Sequence, residues 1–348
     1  MAKKSEAKKN ELSEAELKSL LRKHQTMLLN QPNVNSVGIG YKDNDPAKEM
    51  CIQVTVDKKF DVSALEEMGV EPLPESLDGP SGEKVEIHVT ERKYEPSYRI
   101  ISAMPEELDE SARDKRRSRL DPVTPGASVS HIDGSAGTIG AIVFDRDSGE
   151  PHVLSNWHVL QRASGRIGDK IVQPGPYDDS RIDINYMGML VRSHLGLAGD
   201  CALASIDDRS HSEEILELGV SPKRIAVAEL GDKVVKSGRT TGVTYGFVRR
   251  TGVVTKLNYG GDIGEREIGG FEIGLDPDRH DPQDEVSKGG DSGSLWMINT
   301  DGEDSDVVVG LHFAGERDPS PDEHAIACNI HSVLKKLKVT FEPKNKKS

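Results

Sequence analysis

The sequence predicts a mainly β protein that is preceded by a small α+β segment. From about residue 127 to residue 332, short apolar runs alternate with Gly and Asp turns, a pattern typical of β-sandwiches or barrels. Residues 11–30 instead place leucines at helical spacing, and Ser13 with Glu16 predicts a capping box at the start of that helix. A charge-dense stretch that ends in two X-Pro pairs separates the two patterns and predicts a linker.

Each element is predicted from its own pattern. Extended segments in the first region are expected at Val37–Tyr41, Met50–Val56 and Lys84–Thr90. Strands in the second region are expected at Gly137–Phe144, His152–Leu160, Asp169–Gln173, Cys201–Ile206, Asp232–Ser237 and Val307–Phe313. Ser332–Lys338 carries apolar residues at helical spacing and predicts a C-terminal helix. The expected domains are therefore 10–95 (α+β), 96–126 (linker) and 127–340 (mainly β).

Composition narrows the class of protein. The chain has 348 residues, a formal charge of -14 and a mean hydropathy of -0.54, which argue against a nucleic-acid binder. We find no secretory signal and no apolar run long enough to span a bilayer, so we expect a cytoplasmic protein with no membrane partner. Three widely spaced cysteines indicate a reducing compartment rather than a disulfide framework.

No cofactor or metal is expected. The cysteines do not lie at zinc-ligand spacing. The acidic loop Asp276–Glu285 matches no defined calcium loop, and we interpret it as a solvated surface loop.

The string Gly289–Ser294, which reads Gly-Gly-Asp-Ser-Gly-Ser, is the strongest chemical signal in the chain. Glycines on both sides of Ser292 allow a sharp turn that brings backbone N–H groups close to a substrate. A serine hydroxyl attacks only when a base removes its proton and donors stabilise the oxyanion. We therefore predict Ser292 as the nucleophile and the N–H groups of Gly290 and Ser292 as the oxyanion donors.

Such a serine needs a base, and His158 is the predicted one among eleven histidines. An apolar run precedes it, which predicts an imidazole presented at the end of a strand. The second ring nitrogen needs an acceptor that fixes the tautomer. Asp200 opens a small apolar strand and is the predicted acceptor, while Asp179 and Asp183, set among polar neighbours, are weaker alternatives.

In this order, His158, Asp200 and Ser292 resemble the catalytic triad of the chymotrypsin-like serine peptidases, with gaps of 42 and 92 residues. Val235–Gly242 resembles a strand and turn of the second barrel in that family. Val308–Gly315 resembles the strand against which substrate lies. The resemblance covers roughly residues 127–338 and extends to intracellular trypsin-like peptidases of bacteria and plant narrow-leaf-type relatives. It implies a double six-stranded β-barrel with a C-terminal helix, and hydrolysis of peptide bonds through an acyl-enzyme.

The resemblance also implies residues that contact the substrate. Val286 lies six residues before Ser292, where trypsin has its specificity carboxylate, and this argues against a basic P1 residue. Gly310–Gly315 resembles a Gly-x-His-x-x-Gly strand that presents its histidine to P1 in relatives that cleave after Glu or Gln. We expect substrate contacts from His312, Val286 and Gly310, with an acidic or amide P1 residue; the alternative is that His312 is a packed core residue.

A protein or peptide substrate is the expected partner. Residues 10–95 are expected to dock a regulatory partner, for limited proteolysis in stress or defence. The alternative function is that of a protease-fold interaction protein with little turnover, which works through its N-terminal domain. An esterase is disfavoured because the serine motif departs from Gly-x-Ser-x-Gly and the triad order is not Ser, Asp, His.

Overall fold

The computed structural model describes residues 12–96, 115–281, 284–300, 302–316 and 323–343. Its internal contacts divide the chain into two units, Met1–Arg92 and Lys93–Ser348. The described helices are α1 (Glu14–Leu29), α2 (Val62–Glu67), α3 (Trp157–Leu160), α4 (Ile182–Asn185) and α5 (Ile330–Leu337), with short 3-10 helices at Lys42–Asn44 and Lys115–Arg117. Among the helices that the structure describes, none has the length and apolar character needed to cross a membrane.

The first unit is α+β, as the sequence predicts. Its strands are β1 (Val34–Tyr41), β2 (Met50–Val56), β3 (Ser76–Asp78) and β4 (Lys84–Glu91). They pair in the order β1, β2, β4, β3, with β2 and β4 parallel and the other pairs antiparallel. The predicted capping box starts α1: the Glu16 N–H donates to Ser13 Oγ, and the Ser13 N–H donates to Glu16 Oε2.

Two sheets build the second unit, which confirms the mainly β prediction. The strands of the first sheet are β6 (Ser128–His131), β7 (Gly137–Thr138), β8 (Ala141–Asp145), β9 (Pro151–Ser155), β10 (Lys170–Val172), β11 (Tyr186–Gly196), β12 (Gly199–Ser205) and β20 (Val339–Thr340). Their order is β20, β8, β9, β12, β11, β10, β6, β7. The two end strands have only two residues each, so six longer strands form the body of this sheet.

The second sheet closes on itself. Its strands are β5 (Tyr94–Pro96), β13 (Arg224–Ile225), β14 (Lys233–Gly238), β15 (Gly242–Asn258), β16 (Glu265–Leu275), β17 (Leu295–Thr300), β18 (Glu303–Glu316) and β19 (His324–Asn329). The order β14, β17, β18, β19, β16, β15 returns to β14 through a β14–β15 pairing, which makes a six-stranded ring. Strands β5 and β13 are added to β18 outside this ring. The predicted C-terminal helix is α5.

Helix α3 departs from the sequence prediction. The strand expected at His152–Leu160 ends at Ser155, and His158 lies in the helical turn Trp157–Leu160 that follows. Asn156 has an extended backbone with φ -84° and ψ 158°, and this residue marks the change from strand to helix. The imidazole is therefore carried by a short, buried helix.

Part of the predicted linker is packed against the second unit. Within 96–126 the structure describes Pro96 and 115–126, while 97–114 lie outside the described residues. Arg116 is 2% exposed and donates from Nη1 to Ser237 Oγ at 2.7 Å. Val123 is fully buried. Residues 115–126 thus belong to the body of the second unit.

Candidate active site

His158 and Asp200 form a buried hydrogen-bonded pair. The His158 ring engages Asp200 Oδ2 through Nδ1 at 2.6 Å, and the His158 backbone N–H donates to Asp200 Oδ1 at 3.2 Å. Asp200 is fully buried at the start of β12, and His158 is 7% exposed. Two contacts from one residue to both carboxylate oxygens hold the ring in one orientation. The structure thus places the predicted base on its predicted acceptor.

Three further groups hold Asp200 in place. The Tyr259 hydroxyl donates to Asp200 Oδ2 at 2.8 Å. The Asp200 N–H donates to Cys328 Sγ at 3.3 Å, and Asn156 donates from its side-chain amide to the Asp200 carbonyl at 2.7 Å. These contacts come from the strand before α3, from β19 and from the end of the β15 hairpin. Cys328 and Asn156 thus fix the Asp200 backbone, and Tyr259 fixes its carboxylate, so the side chain has little freedom to turn away from His158.

The weaker candidates for this acceptor lie elsewhere. Asp179 accepts a two-point contact from the Arg181 guanidinium, with Nη2 to Oδ2 at 2.6 Å. Asp183 is exposed on α4. The carboxylate that engages the His158 ring is that of Asp200.

The loop that carries Ser292 lies against β7. The Thr138 N–H donates to the Ser292 carbonyl at 2.7 Å. A Cβ on Gly137 would lie 2.5 Å from Val159 Cγ2 and 3.1 Å from the Ser292 carbonyl oxygen. Only a glycine at position 137 therefore lets β7 lie this close both to α3, which carries His158, and to the Ser292 loop.

Ser292 itself is fully buried at the edge of β18. Its Oγ donates to the Phe313 carbonyl at 3.4 Å. The N–H of Gly293 donates to the His312 carbonyl at 2.9 Å, and the N–H of His312 donates to the Ser294 carbonyl at the same distance. The serine loop is thus fixed to β18 by its backbone.

Asp291, next to the nucleophile candidate, is a buried anion with several partners. It accepts hydrogen bonds from the backbone N–H groups of Thr240 and Thr241 at 2.8 and 3.0 Å and from the Thr241 hydroxyl at 2.7 Å. Lys236 Nζ lies 3.3 Å from Asp291 Oδ2. Burial raises the pKa of this carboxyl, but the Lys236 charge and the N–H donors more than reverse that effect and lower the pKa to about 2.

The backbone before Ser292 is oriented by Thr240. The Thr240 hydroxyl donates to the Gly289 carbonyl at 2.8 Å, on the side of the loop that faces Asp291. In a trans peptide the C=O and the N–H point in opposite directions. The N–H of Gly290 therefore points away from Thr240. Gly290 has φ +103°, and a Cβ there would lie 2.4 Å from Thr240 Oγ1, so this position requires glycine.

The predicted substrate contacts have different surroundings. Val286 and His312 are fully buried. Within the described residues, neither ring nitrogen of His312 has a hydrogen-bond partner, and burial lowers the pKa of this ring to about 3. A Cβ on Gly310 would lie 2.5 Å from the Phe271 ring, so its closeness to that ring requires a glycine. The role of all three in substrate binding stays a prediction.

Several residues around the site were not found by sequence reasoning. Glu323 is 5% exposed and accepts from the Val286 N–H at 3.1 Å, and burial raises the pKa of its carboxyl to about 8. Lys236 had a detectable signal, because a lysine inside the apolar strand pattern Val234–Ser237 indicates a buried charge. Tyr259 and Glu323 lie in polar, Gly-rich or acidic stretches that carried no such signal.

Among the described residues, no cluster of three or more His, Cys, Asp or Glu side chains is arranged to hold a metal ion.

No protein-family model matches the chain, and no curated protein matches it. Among solved structures, it is similar to a glutamic acid specific serine protease described as using a novel histidine triad in substrate binding, with 20% identity and a TM-score of 0.45 over 63% of this chain and 99% of that one. It is also similar to a Cellulomonas bogoriensis chymotrypsin, with 15% identity and a TM-score of 0.45 over 64% of this chain and 100% of that one. Thermobifida fusca protease A gives 15% identity and a TM-score of 0.44 over 63% and 97%. Because these identities and TM-scores are low, the description of the fold and of the site depends on this chain's own strand pairings and hydrogen bonds.

Proposed function

We propose that the chain is a serine endopeptidase with His158, Asp200 and Ser292 as its catalytic triad. The observation that carries this proposal is the buried pair of His158 Nδ1 and Asp200 Oδ2 at 2.6 Å. A carboxylate on Nδ1 fixes the tautomer in which Nε2 carries the basic lone pair. A buried histidine in that state is suited to take a proton from a serine hydroxyl.

In the proposed reaction, Ser292 Oγ attacks the scissile carbonyl while His158 Nε2 takes its proton. The tetrahedral intermediate collapses when the C–N bond breaks and His158 returns the proton to the leaving amine. Water then attacks the acyl-enzyme with the same base, and the acid product leaves Ser292. Asp200 stabilises the imidazolium in both halves of the reaction.

The oxyanion donors in this mechanism are the N–H groups of Gly290 and Ser292. The bond from Thr240 to the Gly289 carbonyl supports the assignment, because it turns the Gly290 N–H away from the buried Asp291 side. Donors fixed before the reaction need no reorganisation as charge develops on the carbonyl oxygen.

Labelling with a fluorophosphonate probe tests the function. The wild-type protein should gain one probe adduct at Ser292 by mass spectrometry, while Ser292→Ala and His158→Ala should not react. Ser148→Ala, which changes an exposed serine on a turn, is the matched control and should label at the wild-type rate. A wild-type protein that does not label would contradict the peptidase proposal and favour the alternative, an interaction protein with little turnover.

For the substrate, we propose an acidic or amide P1 residue that contacts His312. A buried ring nitrogen without a hydrogen-bond partner costs roughly 1–3 kcal/mol, and a P1 carboxyl or amide oxygen would accept its N–H. A positional peptide library tests this: cleavage should follow Glu or Gln, and His312→Leu should lose that preference, whereas the control His211→Leu should keep it. Strong cleavage after Arg or Lys alone would contradict the assignment.

We further propose a cytoplasmic role in limited proteolysis during stress or defence, with the first unit as the docking module for a regulatory partner. Cys51, Cys201 and Cys328 are all buried and, in the part of the chain that the structure describes, form no disulfide, which supports a reducing compartment. Co-purification from cells with the Ser292→Ala variant, compared with a variant that lacks residues 1–92, tests the docking role. Equal recovery of partners by both proteins would contradict it.

A further inference from the structure

Strand β5 is an addition to the second sheet that the six-stranded ring does not require. It pairs antiparallel with the end of β18, with Pro96 opposite Ala314, Glu95 opposite Gly315 and Tyr94 opposite Glu316. It contains only three residues, Tyr94–Pro96, and it belongs to the second unit.

β5 occupies the same edge of β18 as the serine loop. At His312, β19 pairs on one side through Ala327, so the backbone bonds of His312 to Gly293 and Ser294 lie on the other side. At Ala314, β19 again takes one side through Ile326, and β5 takes the other. The serine loop and β5 are therefore consecutive neighbours along one edge of β18.

This edge leads directly to the nucleophile candidate. The Ser292 Oγ donates to the carbonyl of Phe313, the residue just before Ala314. A peptide in the register of β5 runs antiparallel to β18, so the residue after the one opposite Ala314 faces Phe313 and Ser292. Peptides often bind to an exposed sheet edge through main-chain hydrogen bonds, with alternate side chains in pockets.

The side chains of β5 have the alternation of such a bound peptide. Tyr94 and Pro96 are buried, whereas Glu95 is exposed. The Tyr94 hydroxyl donates to Glu272 Oε2 at 3.1 Å inside the sheet. Arg250 Nη1 donates to the same oxygen at 2.8 Å, and His324 Nδ1 bonds to Glu272 Oε1. A buried, charge-paired acceptor therefore fixes the phenol at the position opposite Glu316.

We propose that Tyr94–Pro96 is a resident ligand of the substrate-binding edge, which peptide substrates must displace, and that this edge selects a tyrosine opposite Glu316. The inference rests on the proposed peptidase function. When β5 leaves the edge in only a fraction of the molecules, the apparent affinity for substrate equals the intrinsic affinity multiplied by that fraction. The chain thus restrains its own activity, and the sequence Tyr-Glu-Pro shows the chemistry that this edge accepts.

The experiment uses the full-length protein and its Tyr94→Ala variant. With a fluorogenic peptide that spans the edge, Tyr94→Ala should raise kcat/KM by about tenfold or more, through a lower KM, because the open fraction rises. A small fluorophosphonate probe needs only the serine and its neighbours, so its labelling rate should change less than about twofold. Tyr186→Ala, which removes a partly buried tyrosine from β11, is the control and should behave as wild type on both measurements.

A second measurement tests the pocket for the phenol. The capped peptide Arg-Lys-Tyr-Glu-Pro, which copies residues 92–96, should inhibit Tyr94→Ala competitively. The peptide with Ala in place of Tyr should inhibit about tenfold less well, since it loses a hydrogen bond to a charged group and its buried ring. If Tyr94→Ala does not fold, Glu95→Pro takes its place, because proline removes a backbone N–H from the middle of β5 at an exposed position.

The outcomes separate this inference from the function on which it rests. If the probe labels both wild type and Tyr94→Ala, but kcat/KM of the variant is unchanged or lower, Tyr94–Pro96 is not a resident ligand. The proposed peptidase function would stand in that case. Equal inhibition by the Tyr and Ala peptides would overturn the selection of tyrosine. Absence of labelling in every protein would overturn the proposed function itself.

Discussion

Lys236 Nζ lies 3.3 Å from Asp291 Oδ2, and both side chains are fully buried. The lysine comes from β14 and the aspartate directly precedes Ser292, so the ion pair joins the ring of the second sheet to the serine loop. The Thr241 hydroxyl bonds to both groups, at 2.7 Å in each case. The chain thus supplies the positive charge for this buried carboxylate from one of its own strands.

Replacing Lys236 with Met removes the countercharge of Asp291. We expect the free energy of unfolding to fall by about 3–5 kcal/mol, as happens when one partner of a buried ion pair is lost. Urea unfolding measures this. Lys233→Met is the matched control, because Lys233 pairs with Asp276 while 42% exposed, and its loss should cost about 1 kcal/mol or less. Similar losses in the two variants would contradict the structural role of the buried pair.

Replacing Asp200 with Asn leaves a side chain of the same shape that cannot hold the catalytic tautomer. We expect kcat to fall by about 10⁴-fold with little change in KM. Steady-state kinetics on a peptide substrate measures the effect. Asp183→Asn, which changes the exposed alternative on α4, should keep wild-type kcat. A comparable loss in that variant would show that Asp200 has no special place beside His158.

Replacing Thr240 with Val removes the hydroxyl that holds the Gly289 carbonyl. The peptide between Gly289 and Gly290 can then turn, and the Gly290 N–H no longer points to the oxyanion. We expect kcat to fall by about 10²-fold, near the lower value for loss of one oxyanion donor, at nearly constant KM. Thr340→Val, in β20, is the control. A change in KM alone would argue against a role in the transition state.

Glu323 should make stability depend on pH. Its pKa is raised to about 8 by burial and by the nearby charge of Glu285, so the folded state holds this proton more tightly than the unfolded chain does. The linked stability is complete below the unfolded pKa of about 4.3 and is lost as the pH rises through about 8. Urea unfolding across this range should show a smaller decline for Glu323→Gln than for wild type. The exposed control Glu229→Gln should follow wild type, and a wild-type profile for Glu323→Gln would refute the assignment.

Local patterns in the sequence predicted much of the fold. The capping box joins Ser13 to Glu16, three positions further on, and the alternation of apolar runs with Gly and Asp turns marks seven strands of the second unit, namely β7, β8, β9, β10, β12, β14 and β18. Two of the longest strands, β15 and β16, were not predicted, because their many charged and glycine residues hide the alternation. His158 was expected at a strand end and lies in a helical turn, since a single turn carries no periodicity to detect.

By itself, the sequence determined those elements that have a clear local pattern and the candidate groups His158, Asp200 and Ser292, because residue types and local patterns are visible within a few positions. Only the tertiary structure decided that Tyr259 bonds Asp200, that Lys236 neutralises Asp291 and that Tyr94 reaches Glu272. These partners are separated by 59, 55 and 178 residues. Such contacts depend on how the strands are ordered in the sheets, which no local pattern encodes.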